Sequence, residues 1–170
     1  MKIDIAVNGR FHMFDLAKEL NNKKCLNKII TTYPKWKVQE WGIVKDEINS
    51  IVFIEVLKRL KKYYPKKITP FFMLKQKELF DRISSRYISN SADIFVGLST
   101  NCLYSLKKAK SNNITTIVEC GSTHVLHQKK VFSREYKKCG VEYVPTHKGL
   151  ISRAIEEYSA ADYISVPSKH

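Results

Sequence analysis

The sequence predicts an α/β domain in which a central, mainly parallel sheet lies between two layers of helices. Strand-like and helix-like patterns alternate along the 170 residues, and this alternation typically produces parallel strands joined by helices on both faces. The length suits one domain with a full core. Apolar residues make up 44% of the chain, which indicates a globular protein rather than a disordered one.

The first element is an apolar strand over residues 2–7, followed by a helix over residues 11–21 with apolar residues at helical spacing. Between them lies the turn Asn8-Gly9-Arg10. Gly9 would let the backbone approach a ligand closely, but a G-x-G-x-x-G dinucleotide fingerprint is absent. His12, one turn into the helix, is a candidate for the crevice, and an ordinary surface role is an equal alternative.

A second strand is predicted over residues 26–32, stopped by Tyr33-Pro34. The following residues, 34–45, have the pattern of a loop and contain Trp36 and Trp41 among lysines. Two interpretations stay open for these tryptophans: a small aromatic platform for a sugar or lipid, or a cover over the core.

Residues 48–64 have the pattern of a helix with a broad apolar stripe and a basic end. The basic residues are Lys58, Arg59, Lys61 and Lys62, with Lys66 and Lys67 beyond Pro65. Such a helix can pack on one side and meet anionic lipid headgroups on the other. The alternative is a solvated helix end, because Lys and Arg also favour helix C-termini.

The middle of the chain continues the alternation. Residues 67–70 form a connector or short strand, residues 71–89 a helix and residues 92–98 a strand. Ser99-Thr100-Asn101 is a typical N-cap cluster for the next helix, over residues 102–110. Ser99 therefore stands at the end of a strand and is a cleft candidate.

The stretch around which the chain is organised is a short buried strand that follows Ile114 and is broken at Gly121-Ser122. Ser122 or Thr123 can cap the next helix, whose first turn would hold His124 and His127. In open α/β sheets, ligands bind beyond the carboxyl ends of the strands, where helix N-termini suit phosphates. The alternative for His124 is a loop histidine without a role.

The last third of the chain adds a helix over residues 125–139 closed by Gly140, a linker containing His147, a helix over residues 150–158 and a strand over residues 161–166. Such folds normally add a helix after a final strand. The pattern therefore suggests a fragment, or one half of a two-domain machine.

The net charge and the cysteine spacing limit which classes of partner and which cellular compartment are expected. The net charge of +14 implies an anionic partner: nucleic acid, an anionic membrane surface or a phosphate-bearing substrate. Nucleic acid is disfavoured because the lysines are scattered and no RRM, KH or zinc-finger signature occurs. The four cysteines lack C-x-x-C spacing, which indicates reduced cysteines in a cytoplasmic protein.

Four segments together resemble the N-terminal domain of family 4 GT-B glycosyltransferases, and they occur in the family's order. Residues 156–168 are similar to the E-x-x-x-A-D stretch that leads into a strand ending in P-S, and residues 117–124 resemble the fourth strand and its histidine loop. Ala6–His12 resembles the family's glycine-containing first turn, and residues 92–97 resemble its A-D strand. The resemblance implies a single Rossmann-like domain over residues 1–170, a three-layer sandwich that forms one half of a GT-B enzyme.

The resemblance also implies roles for individual residues. His124 would act catalytically near the reacting sugar, and Gly9 with Arg10 would lie near the donor phosphates. Gly121, Ser122 and Thr123 would lend backbone donors to the same region. In the family the histidine often follows the strand directly, whereas here Cys120, Gly121, Ser122 and Thr123 precede it.

The activity implied by the resemblance is transfer of a sugar from a nucleotide sugar to a glycan or lipid-linked acceptor, with retention at the anomeric carbon, in cell-envelope polysaccharide synthesis. The donor-binding C-terminal domain with its E-x₇-E motif is not in these 170 residues, so the chain alone would be inactive. No cofactor or metal is expected, because helix N-termini and basic side chains can hold the leaving phosphate. The alternative is a non-catalytic basic module, or a split-transferase subunit, that recruits a partner chain or an anionic surface.

Overall fold

A computed structural model describes residues 1–63, 65, 68–143 and 145–168, although not the side chains of Lys61 and Lys62. Its centre is a six-stranded sheet in the order β3-β2-β1-β4-β5-β6, and every neighbouring pair is parallel. The strands are β1 (Ile3–Val7), β2 (Leu26–Thr31), β3 (Ile48–Ser50), β4 (Ile94–Leu98), β5 (Thr115–Glu119) and β6 (Tyr163–Ser165). This is the Rossmann strand order, and the predicted α/β fold class is confirmed.

Helices connect the strands and cover both faces. They are α1 (Met13–Asn22), α2 (Lys35–Gln39), α3 (Val52–Arg59), α4 (Thr69–Ser84), α5 (Leu103–Ser111), α6 (Val125–Lys138) and α7 (Lys148–Ala160). Two 3₁₀ turns, Lys45–Glu47 and Leu60–Tyr63, complete the described elements.

Alternate residues of each strand point to opposite faces, and each face has its own apolar core. On one face, Ala6 and Phe95 pack with residues of α3, α4 and α5. On the other, Ile5 and Val96 pack with residues of α1 and α2, including Phe14. A smaller cluster joins α6 to α7 through Val125 and Ile151. The three layers are therefore helix, sheet and helix.

Three local predictions are wrong. Residues 48–50 begin no helix; they form the edge strand β3, which pairs with Ile29–Thr31 of β2. The loop predicted after Pro34 contains the short helix α2. Helix α4 ends at Ser84, five residues before the predicted end. In the segment of β3 and the residue after it, Ile48 and Ile51 are both buried. Either a strand or a helix can bury these two residues, so periodicity could not distinguish a strand from a helix here.

Among the described residues, no helix is long and apolar enough to cross a membrane.

Candidate functional site

A cleft of about 780 Å³ opens beyond the carboxyl ends of the central strands. Strands β1 and β4 are neighbours in the sheet, and the chain leaves them toward opposite edges. This is the topological switch point at which open parallel sheets bind ligands. The cleft walls are the loops after β1, β2, β4 and β5, together with side chains from α3, α4, α6 and α7.

The loop after β1 brings the backbone close to a charged side chain. Gly9 is buried and has φ of +114°, a region that other residues rarely adopt. A Cβ at this position would lie 3.3 Å from Lys58 Nζ. Arg10 is exposed, and its guanidinium lies 5.1 Å from the Trp41 ring centroid. Gly9, Arg10 and His12, three of the residues singled out by the sequence analysis, all line the cleft.

His12 forms a pair with a carboxylate from a different loop. Its Nε2 lies 3.1 Å from Glu119 Oε1 at the end of β5. The His12 side chain is half exposed, whereas that of Glu119 is only 15% exposed. A carboxylate that hydrogen-bonds one ring nitrogen fixes the orientation of the imidazole. The other nitrogen remains a candidate acid or base for a ligand.

The loop after β5 faces the cleft through Gly121, Ser122 and Thr123. The residue that caps α6 differs from the one predicted. Neither Ser122 nor Thr123 caps α6, because His124 occupies the N-cap position and its Nδ1 accepts a hydrogen bond from Leu126 N at 3.3 Å. The ring of His124 packs on Tyr158, with centroids 5.2 Å apart. His124 therefore contacts a residue of the cleft wall without lining the cleft itself.

The loop after β4 is held by buried carboxylates. Glu157 of α7 accepts hydrogen bonds from Thr100 N and, at 2.9 Å, from Cys102 N. Asp81 of α4 accepts from Tyr104 N and Ser105 N at 2.7 and 2.9 Å. Thr100 is in the left-handed region, with φ of +69°, and the amides of Thr100 and Cys102 both point at the Glu157 carboxylate.

Arg153 of α7 neutralises these two acids. Its guanidinium pairs with Asp81, and its Nε lies 3.4 Å from Glu157 Oε1. Burial raises the pKa of Glu157 to about 7, against the opposing effect of the Cys102 amide and Arg153. Burial raises the pKa of Asp81 as well. The N-terminus of α5 is therefore occupied by the protein's own carboxylates.

Two lysines point into the cleft from the other wall. Lys58 of α3 donates to Thr32 Oγ1 and Glu55 Oε2, both at 3.2 Å. Lys77 of α4 donates to Thr100 Oγ1, and burial lowers its pKa to about 8. The expectation that Lys58 belongs to an outward basic face is thus corrected, because its ammonium lies in the cleft wall.

The remaining candidates lie in different places. Ser99 lines the cleft and donates to Tyr158 Oη at 3.3 Å, whereas His127 is exposed on α6 and does not line it. Arg59 is exposed beside Trp36 on a second, smaller groove. The side chains of Lys61 and Lys62, and Lys66 and Lys67 as a whole, lie outside the described residues.

The two tryptophans do not form one platform. Trp41 packs edge-on against Phe14 at 5.8 Å in the core, and Trp36 is 61% exposed. The described residues contain no group of three or more His, Cys, Asp or Glu side chains that would hold a metal ion.

Lys77, Gln76 and Glu157 were not predicted as site residues. A signal for Lys77 exists: it follows Leu74 by three residues and precedes Phe80 by three, and so falls on the buried stripe of α4. Glu157 belongs to the E-x-x-x-A-D stretch, whose Asp162 accepts from Thr116 N at 2.8 Å. Both acids of that stretch therefore hold backbone amides.

One solved structure with a similar chain course is a UDP-glucosyltransferase from Polygonum tinctorium, described as capable of glucosylating indoxyl and solved in complex with 3,4-dichloroaniline. The TM-score is 0.47 and the sequence identity 11%. The similarity covers 98% of this chain and 46% of that one, so this chain spans about half the length of that enzyme. No protein-family model matches the chain, and no curated protein sequence matches it.

Proposed function

We propose that this chain is the acceptor-binding half of a glycosyltransferase that moves a sugar from a nucleotide sugar to a glycan or lipid-linked acceptor. One observation carries the proposal: two loops that are more than a hundred residues apart in sequence, after β1 and after β5, line one cleft at the switch point of the sheet. The sequence predicts a ligand-facing turn in both loops. A Cβ at Gly121 in one loop would lie 3.4 Å from His12 in the other.

The pair of His12 and Glu119 supports a role in activating the acceptor. A sugar hydroxyl is a poor nucleophile until a base removes its proton, and a positioned histidine contributes roughly 10²- to 10⁴-fold to such a step. In the proposed reaction, His12 takes the proton from the acceptor hydroxyl as that oxygen bonds to the anomeric carbon. The bond from the anomeric carbon to the donor phosphate breaks, and Glu119 stabilises the imidazolium that results.

The donor would be held largely by a second domain or a partner chain facing the cleft, and that half also supplies most of the donor specificity. On this side, the exposed backbone of Gly121–Thr123 at the start of α6 can donate to the departing phosphate. We propose that no metal is needed, since dipoles and basic side chains suffice to hold the charge.

The test uses the complete enzyme, as one chain or two, with the substitutions His12→Ala, Glu119→Gln and His124→Ala. We expect His12→Ala to lower kcat at least about 100-fold and Glu119→Gln to lower it less. His147→Ala is the matched control, because His147 caps α7 as His124 caps α6. Turnover near the wild-type value for His12→Ala would remove the base assignment, and the same result for His124→Ala would remove its catalytic assignment.

Product stereochemistry tests membership of family 4. A base on the acceptor hydroxyl suits direct displacement, which inverts the anomeric carbon. The sequence resemblance instead implies retention. An inverted product, identified by NMR, would therefore support His12 as the base and contradict family 4, and a retained product would do the reverse.

We further propose that the enzyme is cytoplasmic and attaches peripherally to an anionic membrane, as its cell-envelope role requires. The supporting observation is an exposed apolar stripe along α3 and its 3₁₀ extension. The stripe consists of Val52, Phe53, Val56, Leu60 and Tyr63, between 39% and 72% exposed. Arg59 is exposed on the same helix, and the whole chain carries a charge of +14. Apolar side chains flanked by cations are typical of interfacial helices.

Vesicle sedimentation tests this attachment. The double variant Phe53→Ser with Val56→Ser should bind vesicles of anionic lipid several-fold more weakly, whereas Phe132→Ser, an exposed aromatic of α6, should not. Equal binding by both variants would refute α3 as the contact. The alternative function, a non-catalytic module that recruits an anionic surface, predicts vesicle binding together with no effect of His12→Ala on any transfer reaction.

A further inference from the structure

The lysines of the cleft have more hydrogen-bond donors than the described protein has acceptors for them. A lysine ammonium has three N–H donors and no acceptor. Lys58 uses two, to Thr32 Oγ1 and Glu55 Oε2. Lys77 uses one, to the neutral hydroxyl of Thr100. One N–H of Lys58 and two of Lys77 thus have no hydrogen-bond acceptor among the described residues, at a wall of the cleft.

The Thr100 hydroxyl adds a further donor at the same place. Its oxygen accepts from Lys77 Nζ and from Asn101 Nδ2, the latter at 3.2 Å. A hydroxyl has two acceptor lone pairs and one hydrogen. Because both lone pairs are engaged, its hydrogen is the group left to bond a ligand.

The electrostatics of Lys77 point the same way. Burial is the main cause that lowers the pKa of Lys77 to about 8, and the positive charges of Arg153 and Lys58 lower it further. Glu157 opposes this effect, but its oxygens already accept from Thr100 N and Cys102 N. A ligand with negative charge would therefore offset the burial of the Lys77 ammonium.

The floor between these groups is a buried network of hydrogen-bonded amides. Asn8, Gln76 and Asn101 are all buried, and they form a chain of amides in which Gln76 donates to Asn8 at 3.4 Å and Asn8 donates to Asn101 at 3.1 Å. Asn101 in turn bonds Thr100. Thr100 and Lys77 are therefore held by a network that joins α4 to the loops after β1 and β4, and they need little ordering when a ligand binds.

We propose that Lys77, Lys58 and the Thr100 hydroxyl bind a phosphate group on a ligand in the cleft. A phosphate suits this set because it presents several acceptor oxygens and negative charge to donors that line one cleft from two helices and a loop. The inference rests on the proposed function and deepens it, since it assigns an anionic ligand to the α3–α4 wall. The phosphate can belong to the nucleotide-sugar donor or to a phosphorylated acceptor.

Isothermal titration of this chain with inorganic pyrophosphate tests the proposal without any transfer assay. Lys77→Met should weaken binding about tenfold or more, the usual effect of losing charge-assisted hydrogen bonds. Lys75→Met is the matched control: Lys75 lies on the same helix, pairs with Glu78 and has a side chain 54% exposed. This control removes the same charge and should change affinity less than about twofold.

An equal loss in both variants would show diffuse attraction to a basic protein and overturn the proposal, as would an absence of pyrophosphate binding by the wild-type chain. If circular dichroism shows that Lys77→Met does not fold, Thr100→Val and Lys58→Met replace it, with the same criterion. Unchanged affinity in both of these variants would equally overturn the site.

Two further ligands identify the source of the phosphate. UDP represents the donor and glycerol 3-phosphate a phosphorylated acceptor, and the one whose binding is tighter and depends on Lys77 identifies the source. Pyrophosphate binding that requires Lys77 in an enzyme without transferase activity would leave this site standing and remove the proposed function. Transferase activity in an enzyme that shows no such pyrophosphate binding would remove this site and leave the proposed function standing.

Discussion

Helices α5 and α6 start beside the same cleft, and their N-termini differ in whether the protein's own carboxylates bond to them. At α5, the amides of Tyr104 and Ser105 donate to Asp81, and those of Thr100 and Cys102 donate to Glu157. At α6, within the described chain, Leu126 N donates to the His124 ring at 3.3 Å and no carboxylate bonds to this end. Helix N-termini attract negative charge. The α5 end receives it from the protein and serves stability, whereas the start of α6 is where we propose that the departing phosphate binds.

The largest expected effect comes from unpairing the acids at α5. Arg153→Met would leave Asp81 and Glu157 buried beside each other without their cation. Breaking a buried ion pair on one side costs about 3–5 kcal/mol of the free energy of unfolding. Chemical denaturation measures this loss. Arg134→Met, which breaks an exposed pair with Glu135, should cost less than about 1 kcal/mol, and equal costs would contradict the structural role of the α5 cluster.

The second effect is a dependence of stability on pH. The pKa of Glu157 is raised from 4.5 to about 7 on folding, so the folded state binds a proton more tightly than the unfolded one. Its contribution to stability is fully present below pH 4.5 and is lost as the pH rises through about 7. The difference across this window is roughly 3 kcal/mol.

Glu157→Gln should flatten that part of the profile, as measured by urea denaturation between pH 5 and 8. Lys77 titrates in a separate window, because burial lowers its pKa from 10.5 to about 8; its contribution to stability is full above pH 10.5 and is lost as the pH falls through about 8. A variant with the wild-type slope between pH 5 and 7 would show that another group controls it.

A third comparison uses one glycine beside each helix. At Gly97 of β4, an added Cβ would lie 2.4 Å from Cys102 Cβ, a clash at the start of α5. At Gly121, before α6, the nearest atom is His12 Cε1 at 3.4 Å. Gly97→Ala should therefore cost about 1–3 kcal/mol of unfolding free energy, and Gly121→Ala less than about 0.5 kcal/mol. Thermal unfolding would reject the comparison if the two costs were equal.

The smallest effect is at the cap of α6. His124→Ala removes the acceptor of Leu126 N and should lower stability by about 0.5–1 kcal/mol. His124→Ser supplies another capping oxygen and should restore that stability. If serine also restores turnover in the complete enzyme, His124 is a cap alone; if turnover stays low, its imidazole has a further role.

The α/β class was predictable because strands β1, β2, β4 and β5 each contain a run of apolar or β-branched residues and are bounded by turn residues, a pattern that sequence analysis detects well. Strand β3 was missed because it has three residues and forms only through pairing with β2. The helical pattern that predicts α3 also covers the three residues of β3. Short edge strands are decided by a neighbour, which local sequence does not contain.

For the site, the glycine turns after β1 and β5 were predictable, since each interrupts an apolar strand. The roles of Lys58 and Lys77 were not. Four lysines or arginines cluster at the end of α3, and nothing local distinguishes Lys58, which turns inward to Thr32, from Arg59, which is exposed. Rotation about the helix axis relative to the sheet makes that distinction.

The sequence by itself determined the layers of this protein, its strongly basic charge and the two loops that end at the cleft, because strand periodicity and turn residues act locally. Only the tertiary structure decided that Glu157 of α7 and Asp81 of α4 occupy the start of α5, and that His12 meets Glu119. These partners lie between 23 and 107 residues apart. Their contacts depend on which strands become neighbours, and strand order is set by the packing of the whole sheet.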